Sequence, residues 1–171
     1  FPPCDDTMLS ITESVTTEKA LKRRGVPITN VYVPPEGALH LVIIGLKRLN
    51  IADAERIKSM IDPVFTLSKI ILVDEDVDVF NLNEVFHSLA TKCHPGKGIR
   101  KGDAFCMPLS PYPTKEDRNA NRQTRAIFDA TWPADWSIET DIPPRVSFNE
   151  VYPPEIKDRV LKNWKDYGFK A

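Results

Sequence analysis

Three aspartates at alternate positions, Asp74, Asp76 and Asp78, follow directly on the apolar run Ile70, Ile71, Leu72 and Val73. Carboxylates spaced that way behind a strand suit metal binding or phosphoryl transfer. In an Asp-x-Asp phosphatase, one Asp attacks phosphorus and the other moves the proton. That chemistry wants Thr or Val two residues beyond the second Asp, and here Asp78 stands there. A calcium loop of EF-hand type would take the three as its first ligands. It then fails, because Val79 occupies the position of the required Gly and Val85 that of the bidentate Glu. What remains is a solvated turn whose acids cap the following helix and face its positive end, or a contact with a partner.

Cys93 and His94 are the other pair that chemistry could use, as a nucleophile with its base. Neighbours on a helix project about 100° apart and do not face each other. Cys93 also falls on an apolar helical stripe, so a buried thiol beside an exposed imidazole is expected. His40 alternates with apolar residues in a strand, His87 lies on a helix, and neither has metal-ligand spacing to another His. Trp132, Trp136 and Trp164 read as core or interface contacts. The chain has no GxGxxG and no Walker loop.

The elements that must position these residues follow an α/β order. Thr17 is placed to cap a short helix ending at Gly25, with Ala20 and Leu21 inward. Residues 1–16 show no clear period. Val26 to Ile28 and Val31 to Val33 read as extended pieces closed by Pro34 and Pro35. Residues 39–46 (LHLVIIGL) are a near-continuous apolar run, as for a strand in a covered sheet. Residues 52–61 read as a helix with Ile57, Met60 and Ile61 on one side, ended by Pro63. Residues 70–73 are the second strand. Leu82, Val85, Phe86, Leu89, Ala90 and Cys93 then repeat at helical period behind an Asn81/Glu84 capping pattern, stopped by Pro95 and Gly96. Residues 110–125 read as a long polar loop. Residues 145–148 read as a short edge strand, and a last helix behind Pro153 and Pro154 turns Ile156, Val160, Leu161 and Trp164 inward. The expected fold is one α/β layer structure: a central mixed sheet flanked by helices, with long Pro-rich irregular segments.

Composition narrows the function classes. The 171 residues suffice for one domain with a core, and 42% hydrophobic with 27% charged residues is ordinary for a globular domain. A net charge of -1 gives no general attraction to nucleic acid or anionic membrane, and no apolar run approaches a bilayer span. Three cysteines without CxxC spacing suit free thiols in the cytoplasm. Fifteen prolines against seven glycines imply stiff connecting segments. The opening Phe1-Pro2-Pro3-Cys4, with no initiator Met, suggests a processed chain or a fragment.

The stretch from Lys69 through the acids Asp74, Glu75, Asp76 and Asp78 to Ala90-Thr91-Lys92-Cys93-His94-Pro95 resembles the C-terminal part of the UbiD family of prenylated-FMN decarboxylases, most like the fungal ferulic (cinnamic) acid type. Gly25-Val26-Pro27-Ile28-Thr29, Met107-Pro108-Leu109-Ser110-Pro111-Tyr112, Asp129-Ala130-Thr131 and the ending VYPPEIKDRVLKNWKDYGF carry the resemblance over nearly the whole chain.

The resemblance implies a non-oxidative decarboxylase of aromatic or α,β-unsaturated acids. Its catalytic Arg-Glu-Glu network, prenylated FMN and divalent metal would belong mainly to an upstream domain, so no catalytic or metal-binding residue is expected in this chain. Residues 1–24 would be a linker and short helix leading from that domain, and residues 25–171 the C-terminal domain that closes the pocket and forms a homodimer. Substrate-pocket side chains carried over from the family are Thr66, Met107, Pro108 and Leu109, with Leu9 on a looser alignment. Three departures bear on this. Asp62 stands where ferulic-type members place a Lys on the cofactor phosphate, and its charge would repel that phosphate. Lys92 replaces an Arg and loses bidentate geometry. Trp132-Pro133 follows the Asp129-Ala130-Thr131 motif where many members run towards a Lys. A detached assembly or regulatory domain is the alternative function, and an Asp74/Asp76 phosphatase a third.

Overall fold

A computed structural model describes residues 5–61, 67–106, 110–144, 146 and 148–169. Its centre is made by the two apolar runs. Strands β2 (Leu41–Leu46) and β3 (Lys69–Asp74) pair in parallel, with Ile43 opposite Ile71 and Ile44 opposite Leu72. Side chains alternate between the two faces of a strand, and here both faces are covered. Val42, Ile44, Leu46, Ile70 and Leu72 enter one core cluster, whereas Ile43, Ile71 and Val73 enter the other. That double burial is why both strands are apolar at nearly every position.

The sheet is mixed and five-stranded, in the order β1-β2-β3-β5-β4. Strand β5 (Arg122–Ala130) joins β3 in parallel from Ala126 onward, while β1 (Ile28–Tyr32) and β4 (Ile99–Phe105) run antiparallel at the two edges. Helices α1 (Asp5–Arg23) and α2 (Ile51–Ser59) put Leu21 and Ile57 into the first cluster. Helix α3 (Leu82–Lys92) puts Val85, Leu82 and Leu89 against the second. The expected α/β layer fold with a central mixed sheet is therefore observed. The chain divides into two units, Phe1–Asp135, which holds the sheet, and Trp136–Ala171.

Several local expectations are corrected. Helix α1 has 19 residues rather than a short run from Thr17, and Thr17 is fully buried inside it. The helix lays small and polar groups on the sheet side: Ser10 and Thr17 are buried with Leu21, and the Ser14 hydroxyl accepts the Val33 N–H at 2.9 Å. Met8, Leu9, Ile11 and Val15 are exposed instead. An apolar-stripe search fails on a helix oriented that way. Gly25 ends it as expected: at φ +77° it closes a Schellman motif, with Val26 N–H donating to Leu21 O and Gly25 N–H to Lys22 O.

Residues 110–125 are not one loop. Thr114 and Asp117 form a capping box on α4 (Lys115–Asn119), and β5 begins at Arg122. The first four residues of β5 extend past β3 and pair only with β4, so they stay polar and hide the strand. The edge strand expected at 145–148 is absent where it is described: Phe148 opens the short helix α5 (Phe148–Val151). Arg145 and Ser147 lie outside the described residues.

In the second unit, α6 (Pro154–Lys162) forms where expected, but its apolar face is not inward. Ile156 and Val160 are half-buried, and Leu161 and Trp164 are exposed. A unit of this size is too small to bury a helix face by itself. Trp164 stacks on Phe169 at 4.5 Å between ring centres.

Candidate functional site

The parallel strands give the sheet two distinct ends. At the end where β2, β3 and β5 finish, two carboxylates leave the strands, Asp74 from β3 and Asp129 from β5. Ligands of open α/β sheets commonly bind at such an end. A shallow cleft of about 270 Å³, a figure that includes its open mouth, lies there between Leu46, Arg48, Lys58, Asp74, Thr131 and Trp132.

Both carboxylates are already committed. Lys92, in the last turn of α3, places Nζ 2.7 Å from Asp74 Oδ2. The Trp132 N–H donates to both oxygens of Asp74, at 3.1 and 3.2 Å. The indole ring of Trp132 lies 4.9 Å from the same ammonium, in a cation–π contact. Burial pushes the Asp74 carboxyl above its ordinary range. Lys92 and the Trp132 N–H pull it back, and Asp76 adds a further upward push. Lys58, only 8% exposed, donates from α2 to Asp129 at 2.5 Å and to the Thr131 hydroxyl at 2.9 Å. Asp129 also accepts from the Thr131 N–H and hydroxyl. The Ser88 hydroxyl bonds Ala130 O and ties α3 to the end of β5.

The acid run therefore splits. Asp78 holds the turn, accepting the Phe80 N–H at 3.0 Å. Glu75 accepts the Arg48 N–H. Asp74 is not a helix cap but one partner in a half-buried ion pair, and its two oxygens are engaged rather than poised for attack on phosphorus. Asp76 lies 4.0 Å from Lys92. At the start of α3, Asn81 accepts the Asn83 N–H, and Glu84 reaches back to the Asp78 N–H and the Asn81 amide. Among the described residues, no three His, Cys, Asp or Glu side chains converge on a metal position.

Cys93 ends α3 half-buried, and burial, reinforced by Asp129, pushes its thiol up, away from the thiolate. The exposed His94 accepts from the Gly96 and Lys97 N–H groups in the turn that follows. These two residues close a helix and form no catalytic pair. Cys106 is buried.

The other end of the sheet is where β3 and β5 begin. Leu67 and Ser68, both buried, lead into β3 there, and β4 runs out to Cys106. Of the pocket residues expected from the sequence, Thr66, Met107, Pro108 and Leu109 lie outside the described residues, as does Asp62. Their described chain neighbours belong to this end, opposite the acid cleft. Leu9 is 46% exposed on α1. Sequence reading missed two features here. The Ser110 hydroxyl and the Gln123 side-chain amide are buried with no hydrogen-bond partner among the described residues. Burying such groups unpaired costs about 1–3 kcal/mol each. Lys69 lies over the Tyr112 ring at 4.4 Å, and the Tyr112 hydroxyl donates to Thr124 O.

Residues 6–130 match the family model described as the 3-octaprenyl-4-hydroxybenzoate carboxy-lyase C-terminal domain. The chain belongs to the UbiD family. Ferulic acid decarboxylase 1 of Saccharomyces cerevisiae is 30% identical over 97% of this chain and 36% of its own length. Pyrrole-2-carboxylic acid decarboxylase of Pseudomonas aeruginosa is 31% identical over 59% of this chain and 20% of its own length. Among solved structures, the closed form of vanillic acid decarboxylase from Sedimentibacter hydroxybenzoicus superposes with a TM-score of 0.70 at 25% identity, covering 96% of this chain and 34% of that one. The chain thus spans about a third of the length of the yeast and Sedimentibacter relatives. No helix among the described residues is long and apolar enough to cross a membrane.

Proposed function

We infer that this chain is the C-terminal, pocket-closing and dimerising part of a UbiD-type non-oxidative decarboxylase acting on an aromatic or α,β-unsaturated carboxylic acid. One observation carries the reading: the alignment with a ferulic acid decarboxylase over 97% of this chain and 36% of the relative. Prenylated FMN and a divalent metal belong to the intact enzyme. Among the described residues the ammonium groups of Lys58 and Lys92 each pair with a carboxylate. Bound in the intact enzyme, the flavin supplies the electron sink for loss of carbon dioxide. This chain's own part is to supply an apolar wall, Met107, Pro108 and Leu109 with Thr66, that excludes water from the leaving carboxylate. The Ser110 hydroxyl and Gln123 amide, buried without a hydrogen-bond partner among the described residues, support a polar ligand or partner surface near the segment that follows Leu109 in sequence.

The test is a carbon dioxide assay on the purified chain supplied with prenylated FMN, metal and ferulic acid, alone and fused behind the upstream part of yeast ferulic acid decarboxylase. Release is expected only from the fusion. Turnover by the chain alone would refute the assignment of the catalytic groups to an upstream domain. A folded, flavin-loaded fusion that stays inactive counts against the pocket-closing role.

A further inference from the structure

The pairing of β4 with β5 sets the two smallest residues of β4 against two polar residues of β5. Gly102 lies opposite Arg125, and Ala104 opposite Gln123. Directly opposed residues share a face of the sheet, so the four make one patch. It lies on the α1 and α2 face, because Ile127, next in the same alternation, packs on the core cluster that holds Leu21 and Ile57. A Cβ added at Gly102 would meet nothing within 4 Å, so the patch is recessed beside Arg125. Strand β3 begins opposite Ala126, and its pairing with β5 stops short of both polar residues.

The polar groups here are the ones the fold leaves unmet. Gln123 is 3% exposed, and both polar atoms of its amide are buried without a hydrogen-bond partner among the described residues. The fully buried Ser110 hydroxyl is in the same state. Arg118 donates to Ser110 O at 2.6 Å, and the Tyr112 hydroxyl to Thr124 O at 3.3 Å, so residues 110–112 are held against the start of β5. Buried amides and hydroxyls normally find partners, so this end calls for a polar molecule. Charge decides its sign. Arg24, exposed behind α1, donates to Met60 O at 3.5 Å, and its charge acts on the half-buried Arg125. Burial first, and Arg24 second, hold the Arg125 guanidinium below its ordinary value. An anion beside the two cations offsets their repulsion. Guanidinium, amide N–H and hydroxyl together form a donor set suited to carboxylate or phosphate oxygens.

We propose that this recess binds a small oxyanion, a carboxylate or a phosphate, with Arg125 and Arg24 supplying charge and the Gln123 amide and Ser110 hydroxyl donating hydrogen bonds. A water entering with the anion donates to the remaining amide oxygen. The site goes beyond the pocket-closing role. Its probes are offered to this chain alone, so it stands or falls separately from that reading.

Inorganic phosphate and benzoate, titrated separately into the full chain, test it by calorimetry and by proton–nitrogen NMR. The Gln123 side-chain amide signal, identified by its loss in Gln123→Leu, reports on the recess directly. Saturable binding of at least one probe, with that signal moving, is expected. Phosphate alone marks a phosphate-ester ligand, benzoate alone a carboxylate, and both a site for either. Arg125→Gln and Gln123→Leu are each expected to weaken binding about tenfold or more. Gly102→Leu keeps every donor and fills the recess at an exposed position, and it is expected to weaken binding as much. Lys101→Gln, on the opposite face of β4, is expected to leave binding unchanged. Far-UV circular dichroism verifies that each variant is folded. Absence of saturable binding by either probe overturns the site. So does binding that survives both Arg125→Gln and Gly102→Leu, or a Gln123 amide signal that stays fixed while a probe binds.

Discussion

Replacing Lys58 by Met isolates the energetics of the cleft. Lys58 is 8% exposed, and its Nζ is the nearest cation to Asp129, whose side chain is 11% exposed. The substitution keeps side-chain length but leaves Asp129 with the Thr131 N–H and hydroxyl, and with Arg100 at 4.0 Å. Breaking a buried pair by removing one partner costs about 3–5 kcal/mol, because a charge stays buried without its counter-ion. Removing both partners in favour of apolar groups of similar size is close to neutral. Lys58→Met is therefore expected to cost about 3–4 kcal/mol and Lys58→Met/Asp129→Leu much less. For 171 residues the unfolding entropy is about 0.36 kcal/mol/K, so the single variant melts roughly 8–11 °C lower. Urea titration of the wild type, both single variants and the double variant closes the cycle. A Lys58→Met cost under about 1 kcal/mol, the range of solvent-exposed pairs, would refute the reasoning.

Other outcomes follow from single contacts. Burial raises Asp74 above its unfolded value, so the native chain takes up its proton first; that contribution is fully present below the unfolded value and is lost as pH rises through the folded one. Asp74→Asn keeps one acceptor oxygen but cannot titrate, so the stability of wild type relative to the variant should fall as pH is raised from about 3.5 to 7, read by urea midpoints. A flat difference would mean that Asp74 is not perturbed. Gly98→Ala sets a Cβ 2.9 Å from His94 N and 3.0 Å from Asp129 O, both backbone, and should cost about 1–3 kcal/mol in urea titration. Thr114→Ala removes the hydroxyl bond that does most to hold the Asp117 carboxyl low and leaves the backbone N–H bond, so the NMR titration midpoint of Asp117 should rise part of the way towards the ordinary value, and amide exchange in α4 should quicken.

Much of the fold was legible because it was written locally. Both faces of β2 and β3 are covered, so both strands are apolar throughout and declare themselves in a short window. Helix α3 shows its buried stripe, Gly25 its turn, and the motif series from Gly25 to Asp129-Ala130-Thr131 the family. Strands β4 and β5 were hidden for the opposite reason. An edge strand, and the part of a central strand that runs past its neighbour, need little apolar character. Helix α1 was hidden because its sheet-facing side is Ser10, Ser14 and Thr17.

The candidate site divides in the same way. The sequence by itself determined that acids stand at the end of β3 and that α3 ends in Lys92 and Cys93. It could not say that Asp74 is bound by the N–H of Trp132, 58 residues further on, or that Lys58 reaches Asp129 across 71. Whether a carboxylate is a reactive group, a cap or a buried counter-ion depends on which distant segments exclude water from it and which cation they bring. Those segments are assembled only by the sheet order, so tertiary structure decided that the acids of β3 and β5 hold the fold together at one end. Leu67, Ser68 and Cys106, described neighbours in sequence of the expected pocket residues 66 and 107–109, belong to the other end.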